Sequence, residues 1–500
     1  MKTTRILCYA LITLCMLPIL SFGQQIEISI KSDNIKPEIR ILAPVNGTYF
    51  YDGKMDTSLN QQKELKLSFP TSSAGAYYIY YQGTPTKLYL NPGDKIHINY
   101  TTDANKKVQA SIIGNNLAGQ KLVSALKRPF YQQVAVNYLH KHGSIEAAQD
   151  AIFKNMNKEI GQLDSLLKNK EINQAFFDMA AAEIKTYNYS LAAFALQDSI
   201  YRIKRALKDG LLPDSTANFF VNNWKKVIAN YDFHDKHNWI NSSFMDLLEI
   251  RNTFEGYYFE PKTFKQVQAH DKKDSYLEFM FYSYTLNPDV VNDEYVTAML
   301  FSNTLMQNNF EQLLVTKFDE FKLKYPNSNY SPYLEPEIQK VREFNQKAAA
   351  NFSENTHFVK DYESITDFKQ VQDYFKDKLV YIDLWATWCG PCKAEFAYNK
   401  ELSEFTKANN IVKVFISVDR DELDQKWKEM IKYYELEGYH IRASLDLGKQ
   451  ITEMFSKDFN GQRGFGIPHY IIMKNGEIVQ KDAIRPSRLK DLKEQFKTYL

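Results

Sequence analysis

The sequence predicts a multidomain protein with three folded parts: an N-terminal antiparallel β-sandwich-like domain over 24–115, an α-helical middle domain over 116–344 and a C-terminal α/β domain over 358–500. Three observations carry this reading. Apolar residues alternate with period two as far as Tyr100, recur at helical spacing from about Asn116 to Lys347, and then follow a β-α-β order after a polar stretch. The length agrees, since 500 residues exceed a single core and ~150 residues per domain suggest about three.

The first twenty-three residues stand apart from these domains. Lys2 and Arg5 precede an apolar run, Ile6–Leu20, and Ser21-Phe22-Gly23 places small residues before Gln24. That is the layout of a secretory signal peptide over 1–23, and its apolar run is short for a bilayer span. Losing Lys2 and Arg5 takes the formal charge from +2 to zero. A neutral chain gives no support to nucleic-acid binding or a polybasic membrane contact. Glycine and proline, 19 and 16 residues, are too sparse for collagen-like or low-complexity disorder. With 44% apolar residues and 33 each of Phe and Tyr, the chain can fill cores.

Four cysteines are present, and Cys8 and Cys15 leave with the signal segment. Leu14 is bulky where a lipid-attachment site wants a small residue, which argues against Cys15 as a lipoprotein anchor. Cys389 and Cys392 remain, closing a loop too short to stabilise much. Exported proteins that use disulfides as staples spread several pairs along the chain. The use of this pair is therefore chemical.

In the first domain Ile26/Ile28/Ile30, Leu65/Leu67/Phe69 and Ile96/Ile98/Tyr100 alternate with polar residues as half-buried strands do. Asn46-Gly47, Asp52-Gly53 and Asn91-Pro92-Gly93-Asp94 supply the turns. Tyr77, Tyr78, Tyr80 and Tyr81 either form a carbohydrate platform or belong to a strand packed on both faces; we adopt the second.

In the middle domain Phe177, Ala180, Ile184, Tyr187, Leu191 and Phe194 form one apolar stripe on a long helix. Shorter stripes lie in 143–168, 216–231 and 290–324, and Tyr325-Pro326-Asn327-Ser328-Asn329 is a helix stop. The pairs His140/His142 and His234/His237 lack further ligands for a metal and read as surface histidines. Residues 345–357 (NQKAAANFSENTH) read as a linker.

Beyond it Lys378–Leu384 is a near-continuous apolar strand, as buried parallel strands are. Pro391–Ala408 reads as a helix, Ile411–Val418 as a second buried strand and Leu423–Tyr434 as a helix. Tyr470–Met473 and Glu477–Val479 flank an Asn475-Gly476 hairpin turn, and Arg488–Leu500 closes the chain as an amphipathic helix.

The chemistry lies at Trp385-Ala386-Thr387-Trp388-Cys389-Gly390-Pro391-Cys392-Lys393, directly after a buried strand. Pro391 suits a first helical turn, where its missing N–H has no partner. Cys389 then sits at the helix N-terminus, where free N–H groups and the macrodipole favour a thiolate. Cys392 lies about one turn on and can attack a mixed disulfide formed at Cys389. Cys389 is thus the nucleophile and Cys392 the resolving thiol of a redox-active disulfide. Zinc would need a second ligand pair, which the sequence lacks, so no metal or other cofactor is expected.

Residues 358–500 resemble the thioredoxin superfamily, and more narrowly the TlpA/ResA-like exported thiol–disulfide oxidoreductases. The likeness rests on YIDLWATWCGPCKAEF at 381–396, VFISVD at 414–419 and GIPHYIIMKNGEIV at 466–479. The first two parts loosely resemble accessory segments that precede such domains in envelope proteins. The resemblance implies an α/β thioredoxin fold with Ile467-Pro468 as its cis-proline loop, offering backbone groups to an extended substrate. Trp388, Gly390, Pro391, Ile467, Pro468 and His469 are then the substrate-facing residues. Asp383 matches the buried acid of thioredoxins and Glu395 the acid of the ResA-like group, both placed to exchange a proton with Cys392. His469 stands where the family has threonine, an imidazole that would alter thiolate pKa or substrate choice.

The function so implied is an exported thiol–disulfide oxidoreductase of the periplasm or cell envelope. It would reduce disulfide-containing exported client proteins and draw electrons from a membrane thiol donor. The alternatives are a disulfide oxidase or isomerase, and an envelope binding or scaffold protein with a peripheral redox domain. Because every matched residue follows Phe358, the fragment 358–500 is expected to fold and carry the dithiol chemistry alone.

Overall fold

Alternating isoleucines make the first strand, β1 (Ile26–Ser32), which buries Ile26, Ile28 and Ile30 and exposes the residues between them. The computed structural model describes residues 25–33, 38–105, 107–126, 128–206, 214–258, 277–278, 280–282, 293–306, 310–459 and 462–500. The segment 1–23 read as a signal peptide, with Cys8 and Cys15, lies outside the described residues, as does the side chain of His140. Strands β2 (Glu38–Leu42), β3 (Lys54–Ser58), β4 (Glu64–Phe69), β5 (Gly75–Tyr81), β6 (Thr84–Leu90), β7 (Lys95–Thr102) and β8 (Val108–Gly114) follow. They form two four-stranded sheets, β4-β1-β7-β8 and β3-β2-β5-β6.

The two sheets share a core of Ile26, Ile28, Ile30, Ile39, Ile41, Ile79, Leu88, Ile96 and Ile98. One expectation needs correction: β1 and β7 pair in parallel, so the first sheet is mixed and not purely antiparallel. Alternation within a strand reports which face is buried and carries no information about the neighbour's direction. The tyrosines belong to a strand packed on both faces. Tyr77 and Tyr81 are fully buried, Tyr81 stacked on Tyr100 with centroids 4.3 Å apart. Tyr78 faces the other way, where the Lys87 ammonium lies 5.1 Å from its ring centroid and pairs with Glu183.

The helices are α1 (Leu117–Ala125), α2 (Tyr131–His142), α3 (Ile145–Lys168), α4 (Gln174–Ala206), α5 (Asp214–Ala229), α6 (Ser243–Tyr258) and α7 (Asp293–Met306). Ser144 caps α3, its hydroxyl accepting the Ala147 N–H at 3.1 Å. Helix α4 buries Ala180, Ile184 and Leu191 of the expected stripe, but it also buries Phe176, Ala182, Ala192, Ala193, Ala195 and Leu196 around its circumference. It packs against α2, α3, α5 and α6. Its many alanines let neighbours approach closely, which makes it a central helix and not an amphipathic surface one. His237 pairs with Asp235 at 2.7 Å.

Two compact units result, Met1–Ser302 with Lys324–Leu334, and Asn303–Leu323 with Glu335–Leu500. The second begins well before residue 358. It takes in most of α8 (Gln312–Lys324) and α9 (Ser331–Ala349). Phe344 of α9 stacks on Phe310 at 4.7 Å and meets Tyr433 at 5.1 Å. The expected linker 345–357 is therefore corrected. Its first residues end α9, Phe352 packs on Phe358 at 5.0 Å, and Ser353 and Asn355 each bond the Glu437 carboxylate at 3.2 Å. Polar composition here marks hydrogen-bonded docking.

The rest of this unit comprises β9 (Thr356–Phe358), α10 (Phe368–Tyr374), β10 (Leu379–Trp385), α11 (Gly390–Glu395), α12 (Asn399–Ala408), β11 (Ile411–Ser417), α13 (Asp424–Tyr433), β12 (Gly438–Arg442) and α14 (Leu445–Phe455). A ribbon of β13 (Lys457–Phe459) and β14 (Gln462–Gly464) precedes β15 (His469–Lys474), β16 (Glu477–Gln480) and α15 (Leu489–Lys497). The sheet order is β16-β15-β10-β11-β12-β9. Strand β10 is central, parallel to β11 and antiparallel to β15. Asn475-Gly476, at φ +54° and +78°, makes the hairpin turn between β15 and β16. The helix expected over Pro391–Ala408 is interrupted by a 3-10 turn at Phe396–Tyr398.

His440 of β12 is wholly buried and stacked on Phe415 with centroids 5.1 Å apart. Its Nε2–H donates to the Leu436 carbonyl at 2.8 Å, leaving Nδ1 buried without a partner, and burial pushes its pKa down to about 3. The unfolded chain takes up this proton near pH ~6.5 and the native state does not. Stability is thus full above that pH and falls as pH drops toward 3, by at most ~1.4 kcal/mol per pH unit. We expect His440→Leu to flatten the dependence of Tm on pH between 7 and 5; an unchanged slope would refute the assignment.

Candidate active site

Strand β10 delivers two sets of side chains to opposite faces of the sheet. Val380, Ile382 and Leu384 enter one core with Val414, Ile416, Ile471 and Met473. Tyr381 enters the other with Leu402, Tyr470, Ile472, Leu492 and Phe496, under α12 and α15. Asp383 shares the Tyr381 face. The strand then runs out into Ala386–Trp388, where Asp419 fixes the loop. Its carboxylate accepts the Thr387 N–H and the Thr387 hydroxyl, each at 2.8 Å, and the Ser417 hydroxyl at 2.6 Å. Sequence reasoning did not single out Asp419, although it closes the VFISVD segment.

Cys389 caps α11 and is joined to Cys392 by a disulfide, with Cα atoms 5.3 Å apart. The Cys392 N–H donates to Cys389 Sγ at 3.1 Å. An N–H so placed at a helix start favours negative charge on that sulfur. Pro391 occupies the first turn of α11. Cys392 is fully buried and Cys389 nearly so, while Trp388 is 63% exposed, with Gly390 and Pro391 exposed beside it. The Ile467–Pro468 peptide bond is cis, and both residues are half-buried.

His469, expected among the substrate-facing residues, is 7% exposed and held within the fold. Its Nε2 bonds the Lys481 carbonyl at 2.7 Å and its ring packs on Phe455 at 5.1 Å. Being the first residue of β15 turns it inward, opposite Leu384.

Several titratable groups lie close to one another around Asp383. Asp383 is buried with Oδ1 lacking any partner. Burial pushes its carboxyl well above the usual range, the Glu395 charge adds to this, and Lys413 opposes it. Glu395 is equally buried but fully engaged. Its oxygens accept the Ser487 N–H at 2.8 Å and the Ser487 hydroxyl at 3.0 Å, and Arg485 Nη1 lies 3.4 Å away. Lys413, on β11, donates to Asn399 at 3.0 Å and to Ser403, and burial lowers its pKa to about 7. Tyr381 donates to the Ile484 carbonyl at 2.8 Å, whereas the Tyr470 hydroxyl is buried without a partner. Lys413, Arg485 and Ser487 carry no sequence signal, since only the sheet register and the chain's return after β16 bring them here. Among the described residues no group of three or more His, Cys, Asp or Glu side chains is placed to hold a metal ion.

A central strand leading to a dithiol at a helix start, across from a cis-proline before an antiparallel strand, defines a domain of the thioredoxin superfamily. The Redoxin family profile matches residues 345–495. The thiol-disulfide oxidoreductase ResA of Bacillus thuringiensis subsp. konkukian is 29% identical over 127 residues, 25% of this chain and 64% of its own. Rabbit (Oryctolagus cuniculus) thioredoxin is 50% identical over 64 residues, 13% of this chain and 57% of its own. The crystal structure of the thioredoxin domain of a Bacteroides vulgatus thiol-disulfide oxidoreductase is 26% identical, covering 25% of this chain and 82% of its own, with a TM-score of 0.21. The chain thus spans under two thirds of the length of the curated relatives it matches. Within the superfamily its C-terminal domain is TlpA/ResA-like.

Proposed function

We propose that this protein is an exported thiol–disulfide oxidoreductase that reduces disulfides of envelope proteins. The observation that carries this reading is the Cys389–Cys392 disulfide at the start of α11, beside exposed Trp388, Gly390 and Pro391. In the reduced protein the Cys389 thiolate attacks a client disulfide, forming a mixed disulfide and releasing one client thiolate. Cys392 then gives its proton to a carboxylate beneath α11, and its thiolate attacks Cys389 Sγ. The mixed disulfide breaks, the second client thiolate leaves and takes up a proton, and two electrons have passed from dithiol to client.

Asp383 suits the role of acceptor, because a carboxylate with a raised pKa is a stronger base. Export rests on the signal-peptide layout of 1–23; among the described residues no helix is long and apolar enough to cross a membrane. A periplasmic or cell-envelope site requires re-reduction by a membrane thiol donor.

Insulin-disulfide reduction tests the reading: wild type should turn over and Cys389→Ser should fall to background. Inactive wild type would remove the proposal. The reduction potential decides direction, with a value near about −270 mV marking a reductant and one near about −120 mV an oxidase.

A further inference from the structure

We propose that the first unit binds the C-terminal end of a peptide, a carboxylate beside an apolar side chain, where the turn between β2 and β3 meets α4 and the 3-10 segment Lys236–Ile240. A half-open cavity of about 350 Å³ lies there, and all of its described lining belongs to that unit. Ala74, Met179 and Ile240 supply its apolar lining. Sites for small ligands commonly take this form, ~300–1,000 Å³ and mostly apolar with a few placed polar groups.

The polar groups around this cavity are donors short of acceptors. Trp239 Nε1 and Asn91 Nδ2 are both buried without a partner, a cost that an acceptor on a ligand would remove. Lys236 brings a positive charge, and no Asp or Glu is among the described lining residues. Asp235, next in the chain, is engaged within its own segment: Oδ1 accepts the His237 N–H at 3.0 Å and bonds His237 Nδ1 at 2.7 Å. Unmet donors beside a cation select an anion, and the apolar lining requires that the anion carry an apolar body. Asn46 and Asn91 add two carboxamides, each with a donor and an acceptor to match a peptide group. Lys236 and Trp239 thus take the carboxylate, and Asn46 and Asn91 the peptide group before it.

The frame of the site is fixed in advance. The Trp239 carbonyl accepts the Tyr49 N–H at 2.7 Å and the Tyr295 hydroxyl at 3.3 Å, and the Trp239 ring stacks on Tyr295. The Thr48 hydroxyl donates to the Val45 carbonyl at 2.8 Å and lies 2.9 Å from the Tyr330 hydroxyl. These contacts leave little to be ordered when a ligand arrives.

Fluorescein-tagged tetrapeptides ending in Leu or Phe, titrated with the full-length protein and read by anisotropy, test the assignment. The free acids should bind saturably, and their C-terminal amides about tenfold more weakly. Lys236→Ala should weaken the acids by about tenfold and leave the amides unchanged. Trp239→Phe, which keeps a ring and loses the N–H, should weaken the acids severalfold. Ala175→Trp, at an exposed lining position of α4, should block both. Lys236 and Ala175 are exposed, so both variants should melt as wild type does.

Equal affinity for acids and amides, no saturable binding of any of these peptides, or unchanged affinity in Lys236→Ala or Ala175→Trp would each overturn the proposal. Octanoate displacing the tagged peptides as well as an untagged peptide does would also overturn it, because the site would then read a carboxylate and an alkyl chain without the peptide group.

Discussion

Cys392→Ala is expected to attack client disulfides once and remain attached to them. In this variant Cys389 keeps its place at the start of α11, and the N–H of residue 392 still faces its sulfur. Nothing is left to break the mixed disulfide, so long-lived adducts should accumulate and disappear on treatment with a reductant. Cys389→Ala should accumulate few, because Cys392 is fully buried and out of reach of a client disulfide. In reduced wild type at mildly acidic pH, alkylation should modify Cys389 far faster than Cys392. Equal rates, or adducts formed by the Cys389 variant in place of the Cys392 variant, would reverse the assignment of nucleophile and resolver.

The second large effect concerns where the redox unit begins. A fragment 358–500 should fold poorly and melt well below a fragment 303–500, which keeps the whole of the second unit. Cutting at 358 removes most of β9, which pairs with β12 at the sheet edge, and strips Phe310, Phe344 and Phe352 from the aromatic core. Phe344 alone, 4% exposed and stacked on Phe310, should cost about 3–5 kcal/mol as Phe344→Ala. For a unit of this size that lowers Tm by roughly 6–20 °C, while the thiol chemistry at 25 °C should persist. A fragment 358–500 as stable as 303–500 would restore the shorter boundary.

What the sequence made legible follows from periodicity and punctuation. The buried run of β10, the CGPC stretch and the Asn475-Gly476 turn are local signals, each decided by a few adjacent residues. Strand β12 went unread because His440 and Arg442 interrupt its apolar pattern. Both are buried, His440 against Phe415 and Arg442 paired with Asp421 and Asp424. The long helix α4 was read as amphipathic because its alanines and small polar residues look like a solvated face until four neighbours close around it. Polar residues 353–355 looked like a linker because composition does not reveal that Glu437, about eighty positions away, is their partner.

The chemistry divides along the same line. Which atoms react was written in the sequence, because a thiol at the first turn of a helix gains its charge from the helix beside it, a local effect. How the surroundings of the two acids differ was decided only by the tertiary structure. Asp383 and Glu395 are both carboxyls near the dithiol in sequence, and nothing local distinguishes them. Folding brings Arg485 and Ser487 to one and leaves the other's Oδ1 without a partner. A carboxyl's pKa is set by its desolvation and by the charges around it, and those acting on Asp383 are Glu395 and Lys413, which the fold brings beside it from α11 and β11.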